Sequence, residues 1–136
     1  MSAKERPYLR DFIKQAKKED FFVHKDGDVY GGHKKLYDFY MVHKGWHFAI
    51  EAKWDDEPLR DHQRDALVNV HTKGGGLTFV ARFKFNADHS RDIHFKYFTY
   101  GIEHQPTYIL KWEHKAYKDI GSLPDNLVKL AAKTKG

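Results

Sequence analysis

A chain of 136 residues is long enough for one domain with its own core. Its 40% hydrophobic and 15% aromatic content excludes a disordered tail, and the absence of cysteine excludes disulfides, cysteine-ligated zinc and thiol catalysis. The net charge of +5, from 24 Lys and Arg against 19 Asp and Glu, favours a polyanionic partner without proving one. No window holds the roughly 18 apolar residues of a membrane span. The start, MSAKERPYLRDF, has no apolar signal core, so a cytoplasmic protein is expected.

In chain order, Leu9, Phe12, Ile13 and Ala16 recur at helical spacing and predict an amphipathic helix over 6–18, with Pro7 in its first turn. Phe21-Phe22-Val23-His24 predicts a short strand and Asp26-Gly27-Asp28 a turn. Leu36 to His43 and Trp46 to Lys53 read as strands joined by a Lys44-Gly45 hairpin turn. After the polar break Asp55-Asp56-Glu57-Pro58, a helix is expected from Leu59 to His71, ended by Gly74-Gly75-Gly76. Leu77 to Phe83 predicts a central strand and Asp92 to Tyr100 another. Tyr108 to Tyr117 is read as helical, and Pro124 to Lys133 as a C-terminal helix. With no repeat or linker, 1–136 reads as a single α/β domain, a mixed sheet flanked by helices.

The chemistry concentrates on the hairpin. Alternation puts Glu51 and Lys53 on one strand face and Phe48, Ile50 and Ala52 on the other. A turn centred on Lys44-Gly45 sets Asp38 opposite Glu51, with Cβ atoms roughly 4.5–5.5 Å apart. At about 5 Å and an effective dielectric near 20, two carboxylates repel by roughly 3 kcal/mol. A divalent cation offsets that cost, and carboxylate oxygens are hard ligands suited to magnesium, with the Ala52 carbonyl as a third donor. Lys53 beside them can hold a phosphate or stabilise developing negative charge. The plain alternative is a surface hairpin whose acids bond nearby lysines, and spacing alone leaves both open. Gln63 falls on the apolar stripe of Leu59, Ala66, Leu67 and Val70, where its amide needs a partner; a solvent-facing edge position is the alternative.

Asp38, Ile50-Glu51-Ala52-Lys53 and His62-Gln63, in that order, resemble the PD-(D/E)XK nuclease superfamily. Within it, Asp38-Phe39-Tyr40, Lys44-Gly45, Glu51-Ala52-Lys53, Pro58-Leu59, Asp61-His62-Gln63 and Gly75-Gly76-Leu77-Thr78-Phe79-Val80 are similar to RecU-type Holliday junction resolvases. Phe22-Val23-His24-Lys25 is similar to the strand before their catalytic motif. The likeness covers roughly residues 21–83. It implies a restriction-endonuclease-like αβββαβ core, a Mg2+ site at Asp38 and Glu51 (Mn2+ substituting), a catalytic Lys53 and a supporting Gln63. It also implies a homodimer that cuts two symmetric strands of a four-way DNA junction in a bacterial cell, a phage gene being one source of so compact a form. Two features depart from the pattern. Only residues 26–37 separate Lys25 from Asp38, too few for the family's projecting stalk, and Tyr37 stands where Pro would precede the catalytic Asp. Glu5, with Glu19 as competitor, is the candidate helix acid; both also read as ordinary helix charges.

Ten histidines invite a zinc site, but His43 and His47 are not opposed in the hairpin and no paired-histidine helix motif occurs. His62 reads as a backbone or phosphate contact. Lys34, Lys35, Lys44, Arg60, Arg64 and Lys73, with Arg82 and Lys84, are expected to track phosphates, against the alternative of a solvated surface. Lys129, Lys133 and Lys135 have the same two readings. Trp46, Trp54 and Tyr40 suit base stacking or a dimer seam. Gly74-Gly75-Gly76 lacks the Lys-Ser/Thr of a phosphate loop. The reading is a structure-selective DNA endonuclease; a less selective nickase or restriction-type nuclease and a non-cutting DNA-binding module are the alternatives.

Overall fold

Pro7 opens helix α1 (Arg6–Lys18), whose Leu9, Phe12 and Ala16 are buried while Lys17 and Lys18 close its last turn. This computed structural model describes residues 6–25 and 38–135. After α1 come β1 (Phe22–Lys25), β2 (Phe39–His43) and β3 (Trp46–Trp54), then helix α2 (Asp61–Gly74) and β4 (Leu77–Phe85). This is the αβββαβ order. Strands β5 (Arg91–Thr99), β6 (Ile102–Glu113) and β7 (Ala116–Tyr117), a short 3-10 turn (Ile120–Ser122) and helix α3 (Leu123–Lys135) follow. The expected turn at Asp26-Gly27-Asp28 lies outside the described residues.

The strands lie in chain order, β1 to β7. Every pairing is antiparallel except β3 with β4, which α2 joins as a crossover. The result is a mixed sheet flanked by helices. On one face, α1 and α3 pack through Leu9, Phe12, Leu123, Leu127 and Leu130 onto Phe48, Ile50, Phe79 and Phe95. On the other, α2 covers a smaller cluster of Leu59, Leu67, Val80 and Phe98. Glu51 pairs with Val80 and Lys53 with Arg82, so these charged groups belong to the α2 face.

The stretch from Tyr108 to Tyr117 is not helical. It forms most of β6, a turn, and β7. Leu110 is 1% exposed and its neighbour Ile109 40%, the two-residue alternation of a strand. Aromatic and β-branched side chains suit that pleated surface, and pairing with β5 decides a segment whose short apolar stretch Tyr108-Ile109-Leu110 is ambiguous by itself. β6 also shifts register opposite Tyr97, where His104, Gln105 and Pro106 stand between the pairs Phe98–Glu103 and Lys96–Thr107. Such a bulge is where a proline fits within a sheet.

Three of the hairpin turns share one device. Lys44-Gly45, Tyr100-Gly101 and His114-Lys115 each place two residues at positive φ, the type I′ geometry that matches strand twist. Gly45 has φ +87°, and an added Cβ there would meet nothing within 4 Å. Gly45→Ala should therefore cost about 1–2 kcal/mol through backbone strain alone, seen as a lower urea midpoint with unchanged slope.

Tyr117 is 4% exposed, edge-on to Phe12 and Trp112. Burial pushes its hydroxyl above the usual phenol range. The unfolded chain releases this proton from about pH 10 while the folded one keeps it, so stability falls as pH rises past that point. Urea midpoints measured up the alkaline range should drop more steeply for the wild type than for Tyr117→Phe.

Candidate active site

Asp38 lies in a bend just before β2. The Phe39–Ile50 pair is the last of the β2–β3 ladder, and Asp38 stands one step beyond it. Its N–H donates to the Ile50 carbonyl at 3.1 Å, and its Oδ2 accepts the Ala52 N–H at 2.7 Å. A carboxylate thus takes a place on the ladder that main chain would otherwise fill. In strand geometry the Ala52 carbonyl points to the same side as its N–H, toward Asp38.

Asp38, Glu51 and Lys53 are 6%, 2% and 5% exposed. Charged side chains are seldom so buried unless paired with one another or with an ion. All three, with Ala52, line one cavity of about 200 Å³. The start of α2 closes it with Arg60, His62 and Gln63, and Glu57 lines it from the β3–α2 loop. Leu9, Trp54 and Phe83 supply its apolar wall.

Gln63 finds its partner at the helix end. Its Oε1 accepts the Arg60 N–H at 3.0 Å, the reciprocal half of a capping box, leaving its NH2 as a donor. Leu59 lies before α2 and not within it, but it is buried beside Leu67 as the stripe required.

The remaining sequence candidates separate. Arg64 is exposed on α2, its Cδ against the Gly101 turn. Lys44 sits at the hairpin turn and Lys73 in the last turn of α2, at the ends of those elements away from the cavity, and neither lines it. Lys34, Lys35 and Glu5 lie outside the described residues. Glu19 follows α1 and accepts a hydrogen bond from Gln15, away from the cavity lining. Arg82 is not a free phosphate contact, because Glu103 and two loop carbonyls take its guanidinium. Lys84 pairs with Asp56 at 3.3 Å. Trp54 packs against Tyr8, Phe83 and Phe85, so its ring is committed to an aromatic cluster. The Tyr40 hydroxyl meets His47 Nδ1, while Trp46 stays 48% exposed. The sequence reading missed Glu57 as a cavity residue and the Arg82–Glu103 pair; an arginine inside the apolar run Val80-Ala81-Arg82-Phe83 was the available signal.

Two carboxylates and one main-chain carbonyl are hard oxygen donors, a set that fits Mg2+ or Mn2+ and not the nitrogen and sulfur preference of zinc. Among the described residues no three His or acidic side chains cluster to hold an ion by themselves. An ion at Asp38 and Glu51 would therefore complete its shell with the Ala52 carbonyl, water and substrate oxygens, as magnesium commonly does.

No protein-family model matches the chain, and no curated protein matches it. Solved structures do. The chain is similar to Hjc of Archaeoglobus fulgidus, a Holliday junction resolvase from an archaeal hyperthermophile, with a TM-score of 0.53 and 17% identity. The alignment covers 88% of this chain and 98% of the archaeal one. The chain therefore shares its fold with a resolvase. Among the described residues no helix is long and apolar enough to cross a membrane.

Proposed function

We propose that this chain is a magnesium-dependent DNA endonuclease that cuts four-way junctions, acting as a homodimer whose two cavities address symmetric strands. One observation carries the reading: two buried carboxylates and a buried lysine line a single cavity at the end of β3. The resolvase fold of the structural neighbour and the family likeness of Glu51-Ala52-Lys53 support it. A bound Mg2+ would supply Lewis acidity at the scissile phosphate and a more acidic attacking water.

The chain's own groups do the rest. Asp38 and Glu51 hold the ion, and the Ala52 N–H keeps the Asp38 carboxylate in place. Lys53 sets its ammonium against the phosphate oxygens and neutralises charge that grows as the bond to the leaving oxygen breaks. Burial strengthens that interaction, because little water screens it. Gln63 donates to a phosphate oxygen or the attacking water. Arg60 and His62, at the start of α2, bind the flanking phosphate, where the helix dipole also favours negative charge.

Cleavage of an immobile four-way junction and of a matched linear duplex, in Mg2+ and in EDTA, tests the reading. Cutting of the junction in Mg2+ alone is expected. Activity undiminished by EDTA would rule out the metal mechanism. Equal cutting of both substrates would favour the less selective nuclease instead, a reading that the short interval of residues 26–37 supports because it leaves no room for a stalk.

A further inference from the structure

Arg82 stands next to Lys53 across the parallel β3–β4 pair, on the same face. Although charged, it is only 8% exposed. Four of its five N–H donors have partners. Nε donates to Glu103 Oε2 at 2.9 Å and Nη2 to Glu103 Oε1. Nη1 donates to the carbonyls of Asp55 at 3.0 Å and Glu57 at 2.7 Å. One guanidinium therefore ties β4 to the β3–α2 loop and to the start of β6, just before its bulge.

That loop begins at Asp55, two residues after Lys53, and turns sharply. Asp55 has φ +47°, a left-handed conformation that a non-glycine residue holds only under constraint. The constraint comes from β4 on both sides of the residue. The Asp55 N–H donates to the Phe83 carbonyl at 2.9 Å, and the Asp55 carbonyl accepts from Arg82. The Glu57 N–H then closes the turn on the Trp54 carbonyl at 2.9 Å. Immediately downstream, Glu57, Arg60 and Gln63 form one side of the cavity.

We propose that Arg82, fixed by Glu103, is a positioning residue that locks the β3–α2 loop and so sets Arg60 and Gln63 over the cavity opposite Asp38, Glu51 and Lys53. Its catalytic consequence rests on the nuclease reading; its hold on the loop does not. Arg82 itself touches no substrate. Lysine cannot replace it, since one ammonium cannot span a carboxylate and two carbonyls in a planar fork.

The test uses Arg82→Lys, Arg82→Met and the nearly isosteric Glu103→Gln, with two readouts on the whole chain. The first is amide hydrogen exchange over residues 54–63, expected to speed up about tenfold or more in Arg82→Met and less in the other two. The second is single-turnover cleavage in Mg2+ beside DNA affinity in Ca2+. The cleavage rate should fall about tenfold or more in Arg82→Met and Glu103→Gln while Kd moves by less than about threefold. If Arg82→Met does not fold, Glu103→Gln carries both readouts. Unchanged exchange in Glu103→Gln overturns the lock, whether or not the chain cuts DNA. Faster exchange with an unchanged cleavage rate overturns the positioning role. A wild-type chain that cuts no DNA sinks the nuclease reading, and the exchange result still decides whether Arg82 holds the loop.

Discussion

Glu51→Gln and Lys53→Met should each lower the single-turnover cleavage rate by about 10²–10³ while DNA affinity in Ca2+ stays near that of the wild type. The magnitude is what loss of one preorganised electrostatic group costs in a buried site. Glu51 is 2% exposed and Lys53 5%, so neither charge is diluted by solvent. Glutamine keeps the shape of Glu51 and methionine the stem of Lys53, which separates lost chemistry from lost packing. Affinity survives because the remaining basic groups that face phosphate are untouched; removing a carboxylate that repels DNA should even strengthen binding slightly. Rates within about threefold of the wild type for both variants would move the chemistry elsewhere.

Phe12→Ala should remove about 3–5 kcal/mol of stability, the usual cost of emptying a ring from a packed core. Phe12 is fully buried, and its ring lies 5.6 Å from Phe39, 6.2 Å from Phe95 and 5.6 Å from Tyr117. One side chain thus fastens α1 to β2, β5 and β7. Against a typical total of about 5–15 kcal/mol, that loss is large enough to leave the variant marginal. The same helix carries Leu9 to the cavity wall, so cleavage should become heat-sensitive well before the wild type's does. Urea unfolding followed by tryptophan fluorescence checks the figure. A loss below about 1 kcal/mol would mean that α1 is not seated on the sheet as described.

Much of this was legible in the sequence where local pattern and burial agree. The period of Leu9, Phe12, Ile13 and Ala16 gives α1 over Arg6–Lys18, and the Lys44-Gly45 turn gives the register that pairs Phe39 with Ile50. The segment from Tyr108 to Tyr117 departs from its expected helix because its few apolar positions satisfy both periods; pairing with β5 and β7 decides it. The candidate site divides the same way. Glu51 and Lys53 share a face by strand alternation, and Asp38 joins them in one cavity from a step beyond the last β2–β3 pair, reaching β3 through its carboxylate and not as the direct partner of Glu51 that spacing predicts. The contact between Arg82 and Glu103 depends on a bulge opposite Tyr97 and on the course of β6, which no local pattern encodes. The apolar stripe marks Gln63 as a polar group needing a partner, but that partner, the Arg60 N–H, emerges only once the helix start is fixed at Asp61.

The proposed chemistry requires that a hard cation bind between Asp38 and Glu51, beside Lys53. Titration of Mn2+ into the protein without DNA, followed by paramagnetic resonance, addresses this without relying on activity. Binding by the wild type, weakened about tenfold or more in both Asp38→Asn and Glu51→Gln, is the predicted result. Equal Mn2+ affinity in the wild type and both variants would contradict it.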